Sequence, residues 1–176
     1  MPRHVRKPRP ATSEHKALVR KLAEELKSPR DIGQPIILED STPKPRSTRV
    51  HVIWDCWEDV PAESRPAFIE KAYEAAFGRG YREQITLALG LTVPEAASMG
   101  LLPFQVIPAR RRGEAPSDEE YDKAMLEAGA STLADTKRPQ LRFATEEDAQ
   151  AAYEHLEEAL PGSKWIITQE VSAVME

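Results

Sequence analysis

The part of the chain that follows residue 101 limits its fold most, because strand and helix patterns alternate there in a regular order. The successive segments are "LPFQVIPA", a helix opened by "SDEE", "STLAD", "PQLRFA", a helix opened by "TEED", and "KWIITQEV". Both helices carry apolar residues at helical spacing, and they end at Gly129 and at Pro161-Gly162. The predicted order is strand, helix, strand, strand, helix, strand, which puts both helices on one face of a four-stranded antiparallel sheet.

This order is that of the split βαβ, or ferredoxin-like, arrangement, and it covers residues 101–176. The stretch "RFATEEDAQAAYEHL" resembles the passage from the third strand to the second helix in many such domains, RNA-recognition motifs among them. In those motifs aromatic residues of the central strands stack on bases. Phe104 and Phe143 instead share a face with Val106 and Leu141, so we expect them in the core. The opposite face must be covered by solvent-compatible side chains, by the first half, or by a partner.

Residues 12–100 predict an α/β N-terminal half. A helix capped by Thr12 or Ser13 runs to about Lys27. "PIILED" (35–40) and "RVHVIWD" (49–55) predict strands that pair as a hairpin. "STPKPRST" (41–48) holds two prolines, which predicts a mobile connection and excludes a central strand.

Three helices in succession are predicted after this hairpin, as a compact helical insert. They cover about 59–77, 81–89 and 92–99, and the last opens with a capping box of Thr92 and Glu95. No flexible linker follows, so the halves are expected to pack as one compact unit. The predicted fold class is therefore α+β: an N-terminal helix, a β-hairpin and a helical insert, followed by a ferredoxin-like βαββαβ half.

The N-terminal residues form a basic arm on an acidic body. Residues 1–30 carry nine Lys/Arg against three Glu, a net charge of +6, whereas residues 31–176 carry a net charge of −11. Three prolines in residues 1–11 predict disorder for the isolated arm. Its candidate binding residues are Arg3, Arg6, Lys7 and Arg9. Nucleic acid or an acidic protein would suit the arm, and a solubilising tail that lies back on its own acidic body is the alternative.

A second basic group, Arg110, Arg111 and Arg112, follows the first predicted strand of the second half. Loops at strand ends often hold ligands, so this run is a candidate site for a phosphate or an acidic partner. The alternative is a solvated loop whose charge is neutralised by the acidic residues that follow it.

The stretch "WDCWED" (54–59) concentrates two tryptophans, the single cysteine and three carboxylates. Strand alternation puts Cys56 on the face of Trp54 and predicts a buried thiol, with His51 on the opposite face and out of reach as a base. Asp59 is predicted to cap the next helix. Trp57, if it is exposed beside Asp55, makes this corner a candidate contact surface.

Composition and motifs exclude several classes of chemistry. One cysteine allows no internal disulfide and no cysteine-based zinc site. The chain has neither an apolar run of about 18 residues that predicts a membrane span nor the pattern of a secretory signal, so the cytosol is expected. It carries no metalloprotease, hydrolase, phosphate-loop or dinucleotide fingerprint, and we predict neither cofactor nor metal nor catalytic residue.

Three hypotheses follow from the sequence. The first is a non-catalytic binding or regulatory module that acts within a protein assembly. The second is a nucleic-acid-associated accessory protein that uses the arm and Arg110–Arg112. The third is an enzyme with a carboxylate site near Asp55–Asp59. The oligomeric state is left open.

The second hypothesis makes a prediction about salt. Deleting residues 1–11 removes four Lys/Arg, so the slope of log affinity against log salt concentration for duplex DNA should fall by up to about 4. Fluorescence anisotropy of a labelled duplex over a salt titration measures both slopes. If the full-length chain retains neither single- nor double-stranded nucleic acid at low salt, the hypothesis is wrong.

Overall fold

Two β-sheets with helices packed against them make up the described part of the protein. The structure, a computed structural model, describes residues 13–28, 34–43, 46–109, 117–132 and 139–169. Helices and strands are mixed along the chain, which confirms the predicted α+β class. Within these ranges, every helix is too short or too polar to cross a membrane.

The first sheet combines an antiparallel pair with a parallel pair. The elements of this half are helix α1 (Ser13–Lys27), strands β1 (Ile36–Pro43) and β2 (Arg46–Ile53), helices α2 (Arg65–Phe77) and α3 (Arg79–Arg82), strand β3 (Ile85–Leu91) and helix α4 (Val93–Ser98). The strand order is β1-β2-β3, with β1 antiparallel and β3 parallel to β2. The parallel pair requires a crossover, which α2 and α3 supply.

The hairpin of β1 and β2 is longer than predicted. The two strands pair in unbroken register from Ile36 opposite Ile53 to Pro43 opposite Arg46. The expectation that residues 41–48 form a mobile connection is therefore wrong, since only residues 44–45 separate the strands. Pro43 is tolerated because it is the last residue of β1, which lies at the edge of the sheet.

The helix predicted over about 81–89 is also wrong. The segment from Ile85 to Leu91 is strand β3, and only Arg79–Arg82 before it is helical. Leucine and alanine favour helices in isolation. Backbone pairing with β2, from Thr48 opposite Ile85 to Ile53 opposite Leu91, outweighs that preference. The predicted helical insert is thus two helices, a strand and one short helix.

Helices α1 and α2 cover one face of the first sheet. Apolar residues of α1 recur at helical spacing and pack on the sheet, with Leu22 fully buried and Ala23 and Leu26 nearly so. On α2 the buried residues include Ile69 and Tyr73, but Phe77 at the end of the helix is 47 % exposed. The strands contribute Val50, Val52 and Ala88 to this core.

The second sheet is antiparallel throughout. Its elements are strand β4 (Phe104–Pro108), helix α5 (Asp118–Glu127), strands β5 (Ser131–Thr132) and β6 (Pro139–Phe143), helix α6 (Glu146–Ala159) and strand β7 (Trp165–Gln169), in the order β5-β6-β4-β7. Each pair of neighbouring strands is antiparallel. Both helices pack on the same face, where Val106, Leu141 and Trp165 are buried against Met125 and Leu156.

A third apolar cluster lies where the two halves meet. It joins Ile53 and Leu91, on the sheet face opposite α2, to Ala96 of α4 and to Leu102, and Ala144 of the second half packs against it. Helix α4 therefore contacts both sheets, through β3 and through β5.

Candidate functional site

The corner that follows β2 is a tight turn and does not continue the strand. Asp55–Trp57 form a single turn of 3₁₀ helix, in which residues three apart lie on the same side. Trp54 and Trp57 are consequently both buried, with ring centroids 5.3 Å apart in an edge-to-face contact. The Trp57 indole N–H donates to the Val52 carbonyl at 3.0 Å.

The buried thiol predicted for Cys56 is wrong, because Cys56 is exposed. Trp57 was a candidate contact residue on the condition that it is exposed, and it is fully buried, so that condition is not met. Both expectations extended strand alternation beyond Ile53, where the strand ends. The helix cap expected from Asp59 is wrong as well: α2 begins after a second 3₁₀ turn, Ala62–Ser64, and its N-cap position is Ser64.

Asp55 is exposed but is held in place by one partner. The Gln34 side chain donates from Nε2 to Asp55 Oδ2 at 2.6 Å and accepts the Asp55 backbone N–H at 2.5 Å. This pair ties the corner to the start of β1, so the carboxylate has a structural task.

Arg65, the first residue of α2, is a buried charge. Its side chain is 6 % exposed. Its Nε donates to the Val60 carbonyl at 2.9 Å, and Nη1 donates to the Gly90 carbonyl at 3.1 Å and to the Glu95 carboxylate. One guanidinium thus links the corner, the end of β3 and the start of α4. A buried charge is tolerated when it is paired and hydrogen-bonded in this way.

Gly90 provides the space for this arrangement. A Cβ at Gly90 would lie 2.7 Å from Cβ of Arg65 and 3.2 Å from the Trp57 ring. Ligands of open α/β sheets often bind at the carboxyl ends of parallel strands. Here Trp57 and Arg65 fill the ends of β2 and β3, so the side chains of this corner stabilise the fold and occupy the place of a ligand.

Glu95 completes the corner from the surface side. Its carboxylate accepts from Arg65 and from the Thr92 backbone N–H, and the predicted capping box of Thr92 and Glu95 is confirmed. The hydrogen bond from Arg65, followed by that from Thr92, lowers the pKa of Glu95 below its ordinary value of 4.5. The ion pair therefore persists at neutral pH.

A second polar cluster lies at the other end of α2. Tyr73 donates its hydroxyl to the Glu39 carboxylate, and Tyr81 donates to the same carboxylate at 3.2 Å. Burial and this hydrogen bond raise the pKa of Tyr73 far above its ordinary range. The rings of Tyr73 and Tyr81 stack with centroids 5.7 Å apart, which leaves no gap between them for a ligand.

The uncovered side of the second sheet is the best candidate for a binding surface. Strand alternation places on it six side chains, called here the open face: Gln105, Ile107, Gln140, Arg142, Ile166 and Thr168. Ile107 is directly opposite Ile166, and Gln105 lies between Arg142 and Thr168. Ile166 is 45 % exposed, and the other five are half-buried.

The open face carries no aromatic side chain. Phe104 and Phe143, which are opposite each other in the register, pack against the core on the helix side, as predicted. Base stacking of the kind used by RNA-recognition motifs therefore has no counterpart on the open face.

Charge is separated between the two sides of the second half. Helix α5 carries five acidic residues and α6 carries six, with Lys123 as the single Lys or Arg of the two helices. Strands β4, β6 and β7 carry no acidic residue. The helix side is strongly negative, whereas the open face is uncharged apart from Arg142.

The remaining predicted binding residues lie outside the described ranges. These are Arg3, Arg6, Lys7 and Arg9 of the arm, and Arg110, Arg111 and Arg112. Within those ranges, no group of three or more His, Cys, Asp or Glu side chains could hold a metal ion. Comparison with protein-family models, with curated proteins and with solved structures finds no match to this chain.

Arg65, Gly90 and the residues of the open face were not predicted from the sequence. Gly90 could have been predicted as a packing position, because a glycine inside an apolar strand often marks the close approach of another group. The residues of the open face follow from strand alternation once the strands are assigned, so they could have been named.

Gly90→Ala should destabilise the fold. The new methyl group collides with Arg65, and overpacking of this kind costs about 1–3 kcal/mol. Gly80→Ala is the matched control: no atom lies within 4 Å of its added Cβ, so its effect should stay within about 0.5 kcal/mol. Urea unfolding followed by tryptophan fluorescence measures both, and equal effects would contradict the packing described.

Glu95→Gln should make stability less dependent on pH. A lowered folded pKa means that the carboxylate contributes stability above its ordinary value of 4.5, and that this contribution is lost as pH falls through the folded pKa. The difference in unfolding free energy between the natural chain and the variant should be largest near neutral pH and shrink in acid. Glu58→Gln, at an exposed position of the same corner, is the control. A difference that stays constant with pH would refute the role assigned to this ion pair.

Proposed function

We propose that this chain is a non-catalytic binding or regulatory module that acts within a protein assembly, with the open face as its contact surface. The observation that carries the proposal is Ile166, 45 % exposed beside Ile107 on a sheet face that α5 and α6 leave uncovered. A face of this kind gains stability when an apolar partner surface removes it from water.

We also propose that the second half has the ferredoxin-like arrangement. Three features support it: the strand order β5-β6-β4-β7, antiparallel pairing throughout, and two helices on one face. This fold serves many unrelated functions, so the functional proposal rests on the open face and not on the arrangement.

The chemistry of the open face selects a kind of partner. It presents two isoleucines, two glutamines and a threonine, with Arg142 as its one charge. Arg142 also has a hydrogen-bond partner in the segment before β4, where its Nη1 donates to the Leu102 carbonyl at 3.4 Å. An apolar protein surface with polar uncharged or acidic groups fits this face, and a basic surface does not.

A nucleic-acid-associated role is the second candidate. Its support is the net charge of +6 over residues 1–30 and the run Arg110–Arg112. Any such binding would use phosphate contacts of these basic residues, because the open face offers no aromatic ring for stacking on bases.

A photo-crosslinking amino acid at position 166 tests the proposed surface in the native cell. It should give one discrete crosslinked protein, and the crosslinker at position 168 should give the same protein. Ile166→Lys, combined with the crosslinker at 168, should abolish that product, because it puts a charge on the apolar patch. The matched control is position 126, because Leu126 is also an exposed apolar residue (57 %) but lies on α5. Recovery of free chain alone from both positions would contradict the proposal.

A further inference from the structure

The four edge strands of the two sheets differ in how they are protected. An exposed edge presents unpaired backbone N–H and C=O groups to any extended chain, and proteins block edges with charges, bulges, prolines or very short strands. Strand β1 has Glu39, Asp40 and Pro43. Strand β3 has an irregular register beside Thr48 and Arg49, and Arg65 occupies the Gly90 carbonyl.

In the second sheet only one of the two edges is protected. Strand β5 is two residues long. Strand β7, "WIITQ", has five residues, no charge, no proline and no bulge, and pairs with β4 at every position. Ile166, Ile167 and Thr168 are β-branched residues, which favour strands. Within the described ranges, β7 is the edge that lacks a blocking device.

The register with β4 identifies the backbone groups of β7 that face away from β4. The Ala109 N–H donates to the Lys164 carbonyl at 2.7 Å, so Lys164 faces β4. Backbone groups of an antiparallel strand face alternate sides, and residues 166 and 168 therefore also face β4. The N–H and C=O groups of Trp165, Ile167 and Gln169 face outward.

A negatively charged helix flank adjoins this edge. Helix α6 packs over β7 and the two central strands, and its residues 146, 150, 153, 154 and 157 share one side by helical spacing. That flank is opposite His155, which faces α5 through Glu127 at 3.9 Å. It carries Glu146, Glu154 and Glu157, and no Lys or Arg of the described ranges forms an ion pair with them.

We propose that the outer edge of β7 binds an extended basic segment of a partner protein as an added strand. This inference rests on the proposed function and names the chemistry of the partner. Basic side chains of the segment, alternating with apolar ones, lie on the helix side and meet Glu154 and Glu157. The apolar ones lie on the other side, beside Ile166, and extend the open face. Backbone hydrogen bonds provide affinity and the alternating side chains provide specificity.

Charge favours this occupant over a second copy of the chain. Pairing of β7 with β7 of another copy would bring two α6 flanks together, each with Glu146, Glu154 and Glu157. Like charges placed together oppose association, whereas a basic segment removes the same repulsion. The chain's own basic arm is a further occupant, which the experiment below distinguishes.

The probe is a capped heptapeptide in which Lys alternates with Val, added to the full chain at low salt. Amide hydrogen exchange of Ile167 and Gln169 should slow, and that of Thr168, already facing β4, should not change. Two further peptides carry N-methyl groups, one at the Lys positions and the other at the Val positions. Only one of these sets of nitrogens can face β7, so one peptide should lose binding and the other should keep it. Equal effects of the two methylated peptides indicate electrostatic adsorption alone and overturn the proposal.

Two double variants test the charged flank. Glu154→Gln with Glu157→Gln should weaken binding of the Lys-Val peptide about fivefold at low salt, because each exposed ion pair contributes modestly. The matched control is Glu119→Gln with Asp122→Gln, two exposed acidic residues of α5, and it should leave the affinity unchanged. A heptapeptide with Glu in place of Lys should not bind. Equal weakening by both double variants would overturn the assignment to this edge.

Other occupants give different results. Peptide binding that appears only after deletion of residues 1–11 identifies the arm as the occupant. Protection of Ile167 that grows with protein concentration, without peptide, identifies a second copy. Either result overturns the partner proposal. If the peptide fails while the crosslink from position 166 persists, this inference is wrong and the proposed function stands. If the peptide binds and no crosslink forms, the outer edge of β7 binds an added strand and the open face is not the contact surface.

Discussion

The arrangement of the first half depends on one buried guanidinium. Arg65 connects the turn after β2 through Val60, the end of β3 through Gly90, and α4 through Glu95. Loss of one partner of a buried ion pair costs about 3–5 kcal/mol, because the other charge and its acceptors remain unpaired. Glu95 is partly exposed, with 43 % of its side chain accessible. Most of the desolvation cost of the pair therefore falls on Arg65. One side chain thus joins the turn just before α2 to the end of β3 and to α4, which lie 25 and 30 positions away.

This connection extends to the second half. Helix α4, which Glu95 joins to Arg65, places Ala96 in the apolar cluster with Leu102, and Ala144 packs against that cluster. The orientation of the open face relative to the first sheet therefore depends on contacts that begin at Arg65. The open face itself is separated from the acidic helix layer by the thickness of one sheet, so two chemically different surfaces lie back to back.

Local signals predicted much of the fold. The stripes of α5 and α6 and the capping box at Thr92 depend on residues three or four apart, and the structure confirms them. Strand β3 could not be predicted in this way. Its parallel pairing with β2 joins residues that are more than 30 positions apart, and its leucines and alanine favour a helix locally.

The candidate site was predictable only in part. The role of Arg65 depends on acceptors at Val60, Gly90 and Glu95, and no spacing in the sequence indicates that they converge. The turn at Asp55–Trp57 reversed the expected environments of Cys56 and Trp57, because three-residue periodicity replaced two-residue alternation without a proline or glycine to mark the change. The open edge of β7 becomes visible only when all four edges are compared.

The exposure of Cys56 has a consequence for the behaviour of the chain in oxidising solution. As the single cysteine it has no intramolecular partner, so any disulfide that it forms joins two chains. Such a link would fix the corners next to Trp54 of the two chains against each other. A reducing agent would separate covalent pairs made in this way.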